Sequence, residues 1–191
     1  GEPGPGRKER TPYLKDIMDC RSPSSPIERV VFMKGAQIGG TEAGNNGIGY
    51  VIHHAPGPML AVQPTVEMAK RWSKQRVASL IDSTPVLRER VKEARSRDSG
   101  NTVQSKEFTG GILVMTGANS AVGLRSMPVR YLFLDEVDAY DFDVDGEGDP
   151  VSLASQRTIT FANRKIFLVS TPTIQGLSRI ELEYEDRKSV V

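Results

Sequence analysis

Two short segments hold residues whose types and spacing could do chemistry: Lys34-Gly35-Ala36-Gln37-Ile38-Gly39-Gly40-Thr41-Glu42 and Asp135-Glu136. Each follows an apolar run, where a buried strand would give way to a loop. Phosphate binding needs backbone N–H groups turned into a cavity with a helix N-terminus behind them, and small residues after a strand permit that. Gly35, Gly39, Gly40 and Thr41 have the required character; Thr41 could offer a hydroxyl to Mg²⁺, and Lys34 could reach the β and γ phosphates of a nucleoside triphosphate. The common spacing G-x-x-x-x-G-K-[ST] is not kept, because Gly40 stands at the lysine position and Lys34 where the first glycine would be. Alone, the segment reads equally well as a glycine-rich turn beside a surface lysine. The two carboxylates supply the missing half. Asp135 would hold Mg²⁺ through water, and Glu136 would orient and deprotonate the attacking water of an in-line phosphoryl transfer. The competing reading puts both acids at a helix N-terminus, where the macrodipole favours them.

A third segment repeats the design. Lys165 to Val169 is apolar beyond its first residue and runs into Ser170-Thr171-Pro172-Thr173. Hydroxyls at such a strand end could sense the γ-phosphate and pass its loss to neighbouring elements, although Ser-Thr-Pro is also a common turn.

These groups meet only if strands present them at one edge. Apolar runs bounded by Gly, Pro or charge recur at 29–33, 59–63, 111–115, 129–134 and 165–169 and predict strands. Between them, Ile48, Val51 and Ile52, and then Val77, Leu80 and Ile81, have the i, i+3, i+4 spacing of helices over 41–54 and 65–81, the second capped by Thr65. Alternation of helices with strands that are apolar throughout predicts an α/β fold with a mostly parallel central sheet sandwiched by helices. Residues 103–108 and 112–115, joined by Gly110-Gly111, predict an antiparallel hairpin within it. Carboxylates at strand C-termini then fall where ligands of such sheets sit.

With 191 residues and 38% hydrophobic content, we expect a single domain over 1–191 with an extended lead-in at 1–10 and a fraying helix at 181–188. The missing initiator Met leads us to expect further domains beyond these residues. Net charge is only +1, but residues 1–128 carry 18 Lys/Arg against 12 Asp/Glu, and 129–191 carry 7 against 12. The lone Cys20 has no disulfide partner, and no signal peptide or long apolar span is present, which argues against a secreted or membrane protein. Between Lys70 and Arg97 there are nine Lys/Arg and three Asp/Glu, with Trp72 among them. Lys70, Arg71, Lys74 and Arg76 are the candidates for contact with DNA phosphates, against the alternative of a solvated helix face. Two patterns mislead. Asp141 to Gly146 copies the start of a calcium loop, but Ser152 stands where the twelfth-position glutamate should be. His53-His54 lacks ligand-spaced partners and fits a helix C-terminus.

In order and spacing, Phe32-Met33-Lys34 through Glu42, Ser105-Lys106-Glu107-Phe108 through Gly117, Asp135-Glu136, Gly146-Glu147-Gly148-Asp149-Pro150 and Ser170 to Thr173 resemble one family. It is the large terminase subunit of tailed bacteriophages, lambda-type, and within it the packaging ATPase. The resemblance spans nearly the whole chain. It implies a RecA-like, additional-strand P-loop fold that uses ATP and Mg²⁺ to drive double-stranded DNA into a procapsid in the host bacterial cytoplasm. It also implies a ring of like subunits, a small terminase subunit and a portal as partners, and a separate nuclease domain outside these residues. Two departures stand out. Leu14 occupies the position of an adenine-reading glutamine, and Gln37 that of a loop arginine found in some relatives. The transition-state cation would then come from elsewhere. Arg125, eleven residues before Glu136, resembles the arginine that ring-forming terminases insert into a neighbour's site; its alternative is an ion pair with an acid such as Asp138. Two rivals stay open: a helicase-like repair ATPase, whose second RecA-like domain 191 residues cannot contain, and a nucleotide-binding or DNA-docking module that hydrolyses little by itself.

Overall fold

The computed structural model describes residues 12–35, 39–92 and 101–186. In chain order the elements are α1 (Pro12–Cys20), β1 (Arg29–Met33), α2 (Gly40–His53), β2 (Met59–Gln63), α3 (Val66–Trp72), a π-helical turn (Ser73–Val77), α4 (Ala78–Ser83) and α5 (Pro85–Arg88). Then come β3 (Ser105–Phe108), β4 (Gly111–Gly117), α6 (Ala121–Leu124), β5 (Tyr131–Asp135), a 3₁₀ turn (Val137–Ala139), α7 (Pro150–Gln156), β6 (Lys165–Ser170) and α8 (Arg179–Glu185). Six strands form one sheet in the order β1-β6-β5-β2-β4-β3. All pairings are parallel except β3 with β4, the hairpin expected from Gly110-Gly111.

The period-two alternation of the strands builds two cores, one on each face. Val30, Met59, Ala61, Tyr131, Phe133, Phe167 and Val169 meet Ile48 and Ile52 of α2, Trp72 of α3 and Ile81 of α4. Their neighbours Val31, Leu60, Val62, Leu132, Leu134, Ile166 and Leu168 meet Leu124 of α6, Val151 of α7 and Ile180 of α8. Strands β2, β5 and β6 are buried at every residue, which explains why they read as unbroken apolar runs.

Register then fixes what the strand ends share. Met33 is opposite Ser170, Asp135 opposite Val169, and Gln63 opposite Gly117. Because the five strands run the same way, Lys34, Thr171, Asp135-Glu136 and Gln63 emerge at one edge. The helix expected over 65–81 is realised as α3, the π turn and α4, and Thr65 caps it by accepting the Met68 amide at 3.2 Å. His53 closes α2 and His54 follows as its C-cap. The expected lead-in at 1–10 lies outside the described residues, as do 187 and 188 of the fraying helix. None of the described helices is long and apolar enough to cross a membrane.

Candidate functional site

Lys34 leaves β1 and turns back across the start of α2. Its ammonium donates to Glu136 Oε1 at 2.8 Å and to Thr171 Oγ1 at 3.1 Å, and only 7% of the residue is exposed. The geometry explains the unusual spacing. A Cβ placed on Gly40 would sit 2.7 Å from both Cδ and Cε of Lys34 and 2.5 Å from Val169 Cγ2. The lysine stem therefore occupies the space that a side chain at position 40 would need. Gly39 precedes the helix at φ 92 with no side-chain cap, and the helix N-terminus of α2 that follows is the kind of site where an anion binds. Gly35 and Thr41 flank the loop as expected. Ala36, Gln37 and Ile38 lie outside the described residues, as does the Leu14 side chain.

Asp135, buried at the end of β5, accepts Thr41 Oγ1 at 3.0 Å and Gln63 Nε2 at 3.1 Å, both through Oδ2. Among the described residues its buried Oδ1 has no partner. Burial pushes the carboxyl pKa up, against the pull of the Gln63 and Thr41 hydrogen bonds. Raised above its unfolded value, this group costs stability as pH rises through that interval, and a cation at Oδ1 would relieve the cost. One carboxylate and one hydroxyl suit Mg²⁺, which takes few protein ligands and completes its shell with water and phosphate.

Glu136 adopts φ 54, the left-handed region, at the entry to the 3₁₀ turn. Such backbone in a non-glycine residue costs on the order of 1 kcal/mol and here aims the carboxylate back over the strand ends. Its Oε2 faces the Thr171 amide at 3.4 Å. Two residues on, Asp138 ties this turn to the β6–α8 loop. The Asp138 amide donates to Ser170 Oγ at 3.2 Å, Thr173 donates to Oδ2 through N and Oγ1 at 3.0 Å each, and the Ile180 amide donates to Oδ1 at 2.7 Å. Pro172 lies between the tied residues. Burial raises the Asp138 pKa, but hydrogen bonds from Ser178, Ile180 and Thr173 outweigh it, and the net shift is downward. A lowered carboxylate stabilises the fold above its unfolded value of about 3.9 and loses that contribution as pH falls through its folded value. We expect Asp138→Asn to destabilise the protein by about 1–3 kcal/mol near neutral pH, with the gap to wild type closing below pH ~4. Urea unfolding at two pH values checks this; a gap independent of pH would contradict it.

Arg125 does not pair with Asp138. It caps α6 and meets Glu147 at 2.8 Å on the surface. Lys70 pairs with Glu67, whereas among the described residues no carboxylate holds Arg71, Lys74 or Arg76, which are exposed. Trp72 corrects the expectation that it joins a phosphate-tracking surface: it is buried, and its indole points inward. In the acidic loop, Asp143 accepts the Gly146 and Gly148 amides, so it shapes a turn. Sequence reasoning missed Gln63 and Asp138. Gln63 ends a strand at the site edge and could have been found by asking which polar residues share that edge.

A parallel sheet with a lysine, a hydroxyl and two carboxylates gathered at adjacent strand ends defines a RecA-like P-loop nucleotide-binding fold. The phage terminase large subunit gpA ATPase-domain family matches residues 1–190, and the chain belongs to it. It is 30% identical over 178 residues to the terminase large subunit of Enterobacteria phage P21, covering 93% of this chain and 28% of that protein. Against the terminase large subunit of Escherichia phage lambda it is 29% identical over 177 residues, covering 92% of this chain and again 28% of the relative. The crystal structure of the HK97 bacteriophage large terminase superposes with a TM-score of 0.72 at 14% identity, over 97% of this chain and 37% of that one. That last likeness concerns the fold. The chain thus spans little more than a quarter of the curated relatives.

Proposed function

We propose that residues 1–191 act as one ATPase domain that binds ATP with Mg²⁺, hydrolyses it, and couples hydrolysis to movement of double-stranded DNA into a procapsid. The observation that carries this reading is the meeting of Lys34, Thr41, Asp135, Glu136 and Thr171 at the ends of three neighbouring strands. Lys34 and the amides of 35–42 bind phosphate; Thr41 and Asp135 hold Mg²⁺, which supplies charge neutralisation when bound. Glu136 takes the proton of the attacking water. Ser170 to Thr173, tied to Asp138, carry the state of the site to α8.

Arg125 completes the site of a neighbouring copy in a ring. Its pair with Glu147 is a surface contact, with 44% of the arginine side chain exposed, and such pairs are worth about 0–1 kcal/mol, so release costs little. Small terminase subunit and portal are the partners of the longer protein in the host cytoplasm.

DNA meets the exposed face of Arg71, Lys74 and Arg76 through backbone phosphates, since a motor must be indifferent to sequence. ATP turnover of this chain should need Mg²⁺ and rise with duplex DNA. Replacing Arg71, Lys74 and Arg76 together by Ala should lower the slope of log affinity against log salt by about 1 per lost phosphate contact. Inactivity at high protein concentration with DNA and Mg²⁺ would overturn the enzyme reading, and an unchanged salt slope the DNA face.

A further inference from the structure

Between the phosphate loop and the basic face runs a polar relay that starts at the exposed Glu42 and passes into the core. Glu42, next to Thr41 in the first turn of α2, accepts Asn45 Nδ2 at 3.2 Å; Asn45 Oδ1 in turn accepts Trp72 Nε1 at 3.1 Å. Asn45 is 5% exposed and Trp72 7%. The orientation of the amide is dictated from both sides. An indole can only donate and an ionised carboxylate can only accept, so the residue between them must accept with one atom and donate with the other. An amide side chain does both, and Asn45 uses one donor toward Glu42 and one acceptor toward Trp72.

Trp72 is also the last residue before the π turn at Ser73–Val77. A π turn holds one residue more than the α-helix around it, and such wide turns are frequent at functional sites. Moving the surplus residue along the helix by one position turns the side chains it passes by about 100° around the axis. Lys74 and Arg76 lie within this turn and Arg71 just before it. Ser73, the first residue of the turn, is buried and its hydroxyl donates to the Val103 carbonyl, while the cations beyond it are exposed. The turn is thus anchored inside and free outside. The indole ring also lies 6.1 Å from that of Phe133, two residues before Asp135.

We propose that Asn45 is a positioning residue that couples nucleotide occupancy of the phosphate loop to the DNA affinity of the Arg71–Arg76 face, through Trp72 and the π turn. The proposal rests on the ATPase and DNA readings above. Coupling of this kind is reciprocal: a nucleotide that changes DNA affinity must have its own affinity changed by DNA by the same factor.

The test uses this chain with a non-hydrolysable ATP analogue, Mg²⁺ and a short duplex of random sequence. Trp72 is the sole tryptophan, so its emission reports the relay directly. In wild type, the analogue should shift Trp72 emission and change duplex affinity by about 5–150-fold, the usual span of such coupling. Asn45→Leu removes both hydrogen bonds at similar volume, and Asn45→Asp keeps the acceptor for Trp72 but loses the donor to Glu42. Both should bind each ligand alone within about twofold of wild type, yet lose most of the mutual effect. Should Asn45→Leu unfold, shown by its thermal transition, Asn45→Asp decides. Full coupling in a folded variant, or an emission unmoved by bound analogue, overturns the proposal. Failure of the duplex to bind removes the basic-face reading and the coupling together, whereas both ligands binding without mutual effect removes the coupling alone. An analogue that does not bind at all tells against the ATPase reading itself.

Discussion

Glu136→Gln should lower ATP turnover by about 10²–10⁴-fold, the usual contribution of a positioned general base. Binding of an ATP analogue should hold or tighten. The side chain keeps its shape and its Oε1 can still accept from Lys34, at the loss of the long Thr171 amide contact to Oε2. What disappears is basicity and the negative charge. At present that charge holds the Lys34 ammonium at 2.8 Å, in competition with any phosphate that would use the same donor. A neutral amide competes less well. The two effects thus have opposite signs, and a variant that merely damaged the site would lower both. Single-turnover hydrolysis beside an equilibrium titration separates them. Turnover within tenfold of wild type would remove Glu136 as the base and leave Asp135, already committed to Thr41 and Gln63, as a poor substitute.

The second large effect belongs to Lys34. Lys34→Ala should weaken analogue binding by about 10–150-fold, the equivalent of one charge-assisted hydrogen bond at 1.5–3 kcal/mol, because no other cation in the described residues contacts Glu136 or Thr171. The partner position makes this more than a deletion test. Gly40→Lys alone forces a side chain into the lysine stem and Val169, an overpacking of about 1–3 kcal/mol. Combined with Lys34→Ala, the stem is gone and the new lysine starts from the common phosphate-loop position. We expect the double variant to recover part of the lost affinity although each single change is harmful. Such non-additivity is the signature of two residues sharing one space. Simple addition of the two losses would show that Gly40 is small for another reason.

Most of the scaffold was legible. Strands β1 and β2 match the sequence expectation at both ends: β2 is buried throughout and leaves an apolar run that stops where the sheet stops, and the edge strand β1 is bounded by charge at Arg29 and Lys34. Helix α2 was readable from Ile48, Val51 and Ile52. The short helices α6 and α7 were not, since four and seven residues give too little periodicity to distinguish from loop. At the candidate site, Lys34, Thr41, Asp135 and Glu136, singled out by type and place, lie at one sheet edge, where Lys34 bonds Glu136 and Thr41 bonds Asp135. Glu136's left-handed backbone left no mark in the sequence, nor did the ties from Asp138, because both depend on how the β6–α8 loop returns. Trp72 misled for a related reason. Among basic residues it looked like part of a surface, but the helix turns it inward, and an indole among cations does not announce which way it faces.

The strand order β1-β6-β5 has a consequence for synthesis. Lys34 and Thr171 are 137 residues apart in the chain yet share a hydrogen bond, because β6, the latest in chain order of the six described strands, slots between the first and the fifth. While the chain is growing, β2, β4 and β5 can already pair, but the proposed triphosphate cradle is split across a gap that β6 closes. Contacts so distant in sequence form late. A nascent chain halted before residue 165 would expose the apolar flanks of β1 and β5 to a chaperone and lack the Thr171 side of the proposed site; one released beyond Thr171 would cover those flanks and complete that site at once.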